Sequence, residues 1–386
     1  MSRHITTGID IGSYQVKVVI AEADNSAAGK RPKILGTGIS ESRGIRHGYV
    51  INTGDAVKSV RRAIDQAEKS SGIRIKNAYL SAGGVGLESS TSSATIPLVR
   101  GVVTEADIDR VASACEQNLP AGEKSNRKVI HKVAISYAID GETVYGEPLG
   151  MKGKKLEAKV LFISYIERHL NDLVEVMTDA GIEILDVVAA PIAASLVTLS
   201  KAQKVAGVVL ANIGSETVSI IVYENNIPLS LEVFPVGSNS ITHGIALGLR
   251  IPIEEAENVK KGSLSENEFS RKKLDDIISS RLSDIFDLIE GHLKKINRNG
   301  LLPAGIVITG GGSGIATIDD IARAALKLPA RVAIIGNKDI ARDASWSVAY
   351  GLCILGLSNE ENDTSGIKVV KITGGGIVKW FKQFLP

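Results

Sequence analysis

The sequence predicts an α/β protein made of two similar lobes. Three observations carry that prediction. A strand–glycine-turn–strand unit occurs twice, stretches of helical and strand periodicity alternate behind each copy, and the interior must be aliphatic. Apolar residues are 44% of the 386-residue chain but aromatics only 4%, so Val, Ile, Leu and Ala fill the cores. That bias suits buried α/β sheets better than an all-β sandwich. A chain of this length is comfortable with two or three cores.

The repeated unit is explicit in the letters. Residues 8–20 read GIDIGSYQVKVVI and residues 212–222 read NIGSETVSIIV. With Asp10 set against Asn212 the two align without a gap. Ile11/Ile213, Gly12/Gly214, Ser13/Ser215 and Val16/Val218 are identical, and both copies end in aliphatic strand residues. A Gly-Ser turn alone is common in hairpins. Two in register, each running into a Val/Ile strand, indicate a duplication.

Along the first lobe, Ala56, Val57, Val60, Ile64 and Ala67 predict a helix over 55–70, followed by a strand at 78–82. The Gly/Ser-rich run GGVGLESSTSS at 83–93 reads as a subdomain boundary. Within an insertion over 83–157, a strand at 94–99 precedes a helix. Thr104 and Asp107 form its capping box, and Ile108, Val111, Ala112, Cys115 and Leu119 face inward. Strands at 129–139 and 142–145 follow. The lobe I core (1–82 and 158–205) resumes with a strand at 158–164 and a helix at 168–180. The lobe II core takes 206–224 and 303–357, around a second insertion over 225–302. That insertion ends in a long helix whose apolar face is Leu274, Ile277, Ile278, Leu282, Ile285, Leu288, Ile289, Leu293 and Ile296. Residues 358–376 read as a flexible linker.

Composition excludes several classes. Basic and acidic residues number 45 and 43, a net charge of +2, so no global field draws the chain to nucleic acid. Cys115 and Cys353 are far apart and make no disulfide framework or metal spacing, and the six histidines are scattered. The first residues lead into a strand without a signal-peptide core, and no apolar run approaches a membrane span. A cytosolic protein is expected.

The glycine turns offer backbone N–H groups and small hydroxyls suited to polyphosphate oxygens. Asp10 could hold a hydrated Mg²⁺, and Lys17 could reach a phosphate. A third element, Ile306–Thr309 followed by Gly310, Gly311, Gly312 and Ser313, brings glycines to a strand end, where backbone can approach a flat ligand closely. By itself it is equally a tight strand–helix turn. In this order the three point to nucleotide binding.

At this point the sequence resembles the actin/Hsp70/sugar-kinase superfamily. Residues 8–17 look like its first phosphate loop, with Asp10, Gly12, Ser13, Tyr14 and Lys17 in place. Residues 212–217 (Asn212, Gly214, Ser215, Glu216, Thr217) look like the second, with Gly237, and 306–313 like the adenosine motif. Segments 189–196 and 346–356 resemble the hinge helices. Glu257 and Lys260 match positions that cap ribose and adenine; on their own they read as an i,i+3 pair on a solvated helix.

The first insertion falls after strand 78–82, and SRGIRHGYV (42–50) and RRAIDQAE (61–68) are present. On these features the chain resembles the FtsA family. The resemblance implies an actin-like fold of duplicated RNase H-like cores with two inserted subdomains, and ATP and Mg as cofactors. It also implies filaments of the chain itself, the FtsZ C-terminal tail and other division proteins as partners, and the cytoplasmic face of the cell membrane at the division site as location. Arg271, Arg281 and Asp284 match positions implied in the FtsZ contact; read alone they are a solvated helix face.

Two departures bear on chemistry. The second phosphate loop usually carries Asp where this chain has Asn212, and GGT where it has Ser215-Glu216-Thr217. ATP-hydrolysing members place Gln or Glu where Ala190 stands. Asn212 gives Mg²⁺ no charge, so ATP binding with at most slow hydrolysis is expected. A PilM-like pilus-assembly platform and a small-molecule kinase are the alternatives.

Residues 377–386 read as an amphipathic helix. At ~100° per residue, Ile377, Val378, Trp380, Phe381, Phe384 and Leu385 share one face, with Lys379, Lys382 and Gln383 opposite. Such a helix suits the headgroup boundary of an anionic membrane; a helix docked on its own domain is the other reading.

Overall fold

The computed structural model describes residues 4–23, 32–262, 270–335 and 343–363. The expected membrane helix at 377–386 lies outside the described residues, as does most of the expected linker. Among the described residues no helix is long and apolar enough to cross a membrane.

Lobe I opens with β1 (Ile5–Ile11), β2 (Gln15–Glu22) and β3 (Lys33–Glu41) as an antiparallel meander. A small hairpin, β4 (Ile45–Arg46) and β5 (Tyr49–Val50), leads to α1 (Thr53–Ser71) and β6 (Asn77–Ala82). Of the periodic residues of α1, Ala56, Val60, Ile64 and Ala67 are buried and Val57 is partly buried against the same core. Asn52 caps its N-terminus by accepting from Asp55 N–H, and Gly72 ends it at φ 71.

The first insertion holds β7 (Leu87–Pro97), α2 (Glu105–Gln117), α3 (Ala121–Lys124), β8 (Arg127–Ile139), β9 (Glu142–Val144) and β10 (Lys155–Ile166). The Thr104–Asp107 capping box is present on α2. The inserted sheet begins within the boundary read at 83–93, but its first strand starts earlier than the expected 94–99, because β7 pairs with β10 from Leu87 opposite Tyr165 to Pro97 opposite Lys155. The strand expected to return to lobe I at 158–164 is β10, and it lies in the inserted sheet, ordered β7-β10-β8-β9. Its hydrophobic run is continuous because both faces are covered.

Lobe I is completed by α4 (Glu167–Asp179) and β11 (Glu183–Ala189), a strand not read from the sequence. Then α5 (Ala190–Thr198) and α6 (Lys201–Ala206) lead into lobe II. There β12 (Val208–Ile213), β13 (Val218–Glu224) and β14 (Ile227–Phe234) repeat the meander of lobe I. β14 pairs with β13, so the lobe II sheet continues past the expected insertion start at 225. The second insertion carries α7 (Asn239–Leu249), α8 (Ile253–Lys260) and α9 (Arg271–Lys295). On α9, Leu282, Ile285, Phe286, Ile289 and Leu293 are buried, whereas Leu288 is 43% exposed. At ~100° per residue Leu288 falls outside the arc these five define.

β15 (Ile306–Thr309), α10 (Ile318–Leu326), β16 (Ala330–Val332) and α11 (Ser347–Asp363) close the chain. The two five-stranded sheets have the same order, β11-β6-β1-β2-β3 and β16-β15-β12-β13-β14. The duplication seen in the turns therefore extends through both lobes. The hinge helices α5 and α11 cross closely because Gly351 has no side chain; a Cβ there would collide with the Ala193 carbonyl. α11 runs through Asp363, so the opening of the expected linker is helical.

Candidate functional site: a cleft lined by two glycine turns

The two turns are closed by the same hydrogen bond. Gly12 N–H donates to Gln15 O at 3.1 Å in lobe I, and Gly214 N–H donates to Thr217 O at 2.9 Å in lobe II. Both turns meet the β4–β5 hairpin. Gly48 N–H donates to Ser13 Oγ at 3.1 Å, and His47 N–H donates to a Glu216 carboxylate oxygen at 2.6 Å. Residues far apart in sequence thus converge on one corner between the lobes.

Asp10 lies opposite Lys17 in the β1–β2 ladder, so the pleat puts both on one face. Ser81 Oγ, near the end of β6, donates to Asp10 Oδ1 at 2.7 Å. Burial pushes the Asp10 carboxyl above its usual range, opposed by the Ser81 bond and the Lys17 charge. Burial lowers the Lys17 ammonium, opposed by Asp10 and Asp343. Lys17 Nζ lies 5.9 Å from the Trp346 ring centroid.

The third segment packs against the second turn. Thr309 pairs with Asn212 between β15 and β12. Gly310, at φ 89, is seated against Asn212 and Ile213, where a Cβ would not fit. Ser313 Oγ donates to Gly310 O at 2.7 Å, pinning the glycine turn. At Gly311, by contrast, an added Cβ would meet no heavy atom within 4 Å. That position faces open space.

Behind the second turn, a Cβ on Gly237 would meet the Ser215 carbonyl at 2.5 Å. The Ser238 N–H donates to Gly214 O at 2.9 Å, and Lys260 Nζ donates to Ser238 O at 3.4 Å. Lys260 and Glu257, expected to reach the base and ribose, pair with each other at 2.6 Å. Thr242 Oγ1 donates to Glu257 at 2.7 Å. Burial alone would raise Glu257, but Lys260 and Thr242 hold its carboxyl below the ordinary range. Lys261 pairs with Glu257 at 3.1 Å and reaches across to Tyr14, its Nζ 5.6 Å from the ring centroid. The end of α8 therefore reaches Tyr14 of the first turn directly and the second turn through Ser238, whose N–H bonds Gly214.

The residues fit a magnesium nucleotide. Among the described residues no group of three or more His, Cys, Asp and Glu side chains gathers to hold a metal. Mg²⁺ needs no such cage: one or two carboxylates with substrate phosphates and waters suffice. Asp10 could supply that carboxylate, with Asn212 a neutral amide across the turn pair. Ala190 is the first residue of α5, and Ala189 N–H donates to buried His131 Nε2 at 2.9 Å. Arg281 and Asp284 sit on α9, paired at 3.0 Å, with Arg281 packed over Gly244 of α7; Arg271 opens α9. Sequence reasoning assigned no role to Arg46, His47 or Ser81. Their partners lie far along the chain, and of the three only Arg46 and His47 fall in a segment singled out beforehand, SRGIRHGYV, for its resemblance alone.

The comparisons agree on this architecture. Residues 209–351 match the family model for the cell division protein FtsA, and residues 84–164 match that for the SHS2 domain inserted in FtsA. The cell division protein FtsA of Pseudomonas aeruginosa is 28% identical over 94% of this chain and 92% of its own. Among solved structures, a PilM–PilN type IV pilus biogenesis complex superposes with TM-score 0.69 at 15% identity, covering 91% of this chain and 98% of that one. MreB 5 of Spiroplasma citri bound to AMPPNP superposes with TM-score 0.55 at 14% identity, covering 94% and 99%. The same protein bound to ADP gives the same score. These likenesses establish a mixed α/β, actin-like fold carrying an SHS2 insert.

Proposed function

We propose, for a chain that belongs to the FtsA family of cell-division proteins, that it binds MgATP between its lobes and polymerises on the inner face of the cytoplasmic membrane. There it tethers FtsZ filaments and helps assemble the septum. The observation that carries the nucleotide reading is the convergence of two identically closed glycine turns, one from each lobe, on the β4–β5 hairpin. Backbone N–H groups and hydroxyls gathered in this way suit a polyphosphate. The solved actin-like relatives bound to AMPPNP and ADP support the same reading.

In this reading, Asp10 orients a hydrated magnesium ion and is itself held by Ser81. Lys17 lies beside it to meet phosphate charge. Asn212 and Ala190 leave the site poorly equipped to turn a water molecule onto the terminal phosphate, so ATP acts as a ligand rather than a fuel. Arg271, Arg281 and Asp284 on α9 form the surface for the FtsZ tail. The amphipathic segment Ile377, Val378, Lys379, Trp380, Phe381, Lys382, Phe384 and Leu385 supplies the membrane contact.

One experiment tests the whole. The full chain is incubated with anionic or neutral vesicles, with and without MgATP, then pelleted and viewed by electron microscopy. Filament-coated anionic vesicles are expected, and Trp380→Glu should release the protein without altering nucleotide affinity. Equal pelleting with neutral vesicles, or of that variant, would refute the anchor.

A further inference from the structure

The second glycine turn carries an acid at its centre, and that acid is already engaged. Glu216 is 8% exposed. Its carboxylate takes Arg46 Nη1 at 2.6 Å on one oxygen and His47 N–H at 2.6 Å on the other. Burial alone would raise its pKa, but the His47 N–H and Arg46 hold it below the usual carboxylate range, so it is an anion at neutral pH. A guanidinium and a backbone N–H are the donors a phosphate oxygen takes in a charge-assisted site. They belong to a tight turn with His47 at φ 49 and Gly48 at φ 85, and the next N–H, that of Gly48, goes to Ser13 of the first turn. The corner where the two phosphate turns meet is thus an anion site, filled by the chain's own side chain.

We propose that Glu216 sets the nucleotide preference of this cleft. Its carboxylate holds the anion position between the two turns. A nucleoside diphosphate therefore binds at least as tightly as the triphosphate, whose terminal phosphate must displace Glu216 from Arg46. The interaction also spans the lobes, Glu216 from lobe II and Arg46 and His47 from lobe I, so closure of the cleft does not depend on a terminal phosphate. Arg46 is 66% exposed at its side chain and is free to re-aim once Glu216 leaves.

This rests on the nucleotide site proposed above, and the test separates the two. MgATP and MgADP are each titrated calorimetrically into the full-length wild type, Glu216→Gln and Arg46→Ala proteins. Glu216→Gln keeps the shape and removes the charge; it should shift the ATP-to-ADP affinity ratio about tenfold toward ATP. Arg46→Ala should shift the ratio the other way, because it removes the group a terminal phosphate would inherit. If both variants weaken both nucleotides equally, Glu216 is only a clasp and the proposal falls. A wild-type preference of tenfold or more for ATP would also overturn it. Failure of wild type to bind either nucleotide would refute the site itself, and this proposal with it.

Discussion

Replacing Gly311 with leucine separates ligand binding from folding. A Cβ at this position meets no heavy atom within 4 Å, so the leucine side chain enters open space rather than protein. Surface substitutions of this kind change stability by about 0.5 kcal/mol. The same atoms would occupy space needed by the nucleotide, and the affinity for MgATP should fall at least about 100-fold, some ~2.7 kcal/mol. Gly312 is the internal control. A Cβ there would meet Ile213 Cγ2 at 2.6 Å, so Gly312→Ala should cost about 1–3 kcal/mol of stability through overpacking, with or without ligand. Calorimetric titration and denaturant unfolding of both variants give the two numbers. Gly311→Leu binding MgATP with unchanged affinity would remove the glycine turn from the nucleotide site.

Steady phosphate release should stay below ~1 s⁻¹, the low end of ordinary enzyme rates, and Asn212→Asp should tighten the Mg²⁺ dependence of ATP binding. Faster release, or no change in Mg²⁺ dependence, would contradict the roles given to Asn212 and Ala190. A pH effect should come from His131, whose burial lowers its pKa from 6.5 to about 3. The unfolded chain then binds the extra proton below pH 6.5 and the folded chain does not, so stability is full above that pH and falls as the solution is acidified. Between pH 6.5 and 5 the loss is about 1.6 kcal/mol. Urea unfolding should show His131→Gln to be less pH-sensitive than wild type in that window; parallel curves would refute this.

How much was legible follows from where the information lies. The duplication could be read because each turn is a local motif: Gly12 and Gly214 close the same hydrogen bond three residues on. The α1 and α2 helices could be read from apolar periodicity and from the Thr104–Asp107 cap. The extent of the first insertion could not. Serine and glycine at 83–93 signal a loop locally, yet β7 forms there because β10 pairs along its whole length. The same pairing takes β10 out of the lobe I sheet, whose fifth strand is β11 instead.

The site divides in the same way. Asp10, Lys17 and the glycines were visible as a pattern. The glycine turns, the Glu257–Lys260 pair and Gly310 then came together around one cleft. Glu216 was legible as an acid in the second glycine turn, but its direction was not. That depends on Arg46 and His47, which only the packing of the β4–β5 hairpin against the second turn brings to it.

Hydrogen–deuterium exchange of the full chain on addition of MgATP tests the central claim most directly. A nucleotide held between the lobes by both glycine turns and the third strand end must protect residues 10–17, 212–217 and 309–314 together. Simultaneous protection of these three segments, saturating with ATP concentration, is expected. Protection confined to one lobe, or absent at saturating MgATP, would contradict it.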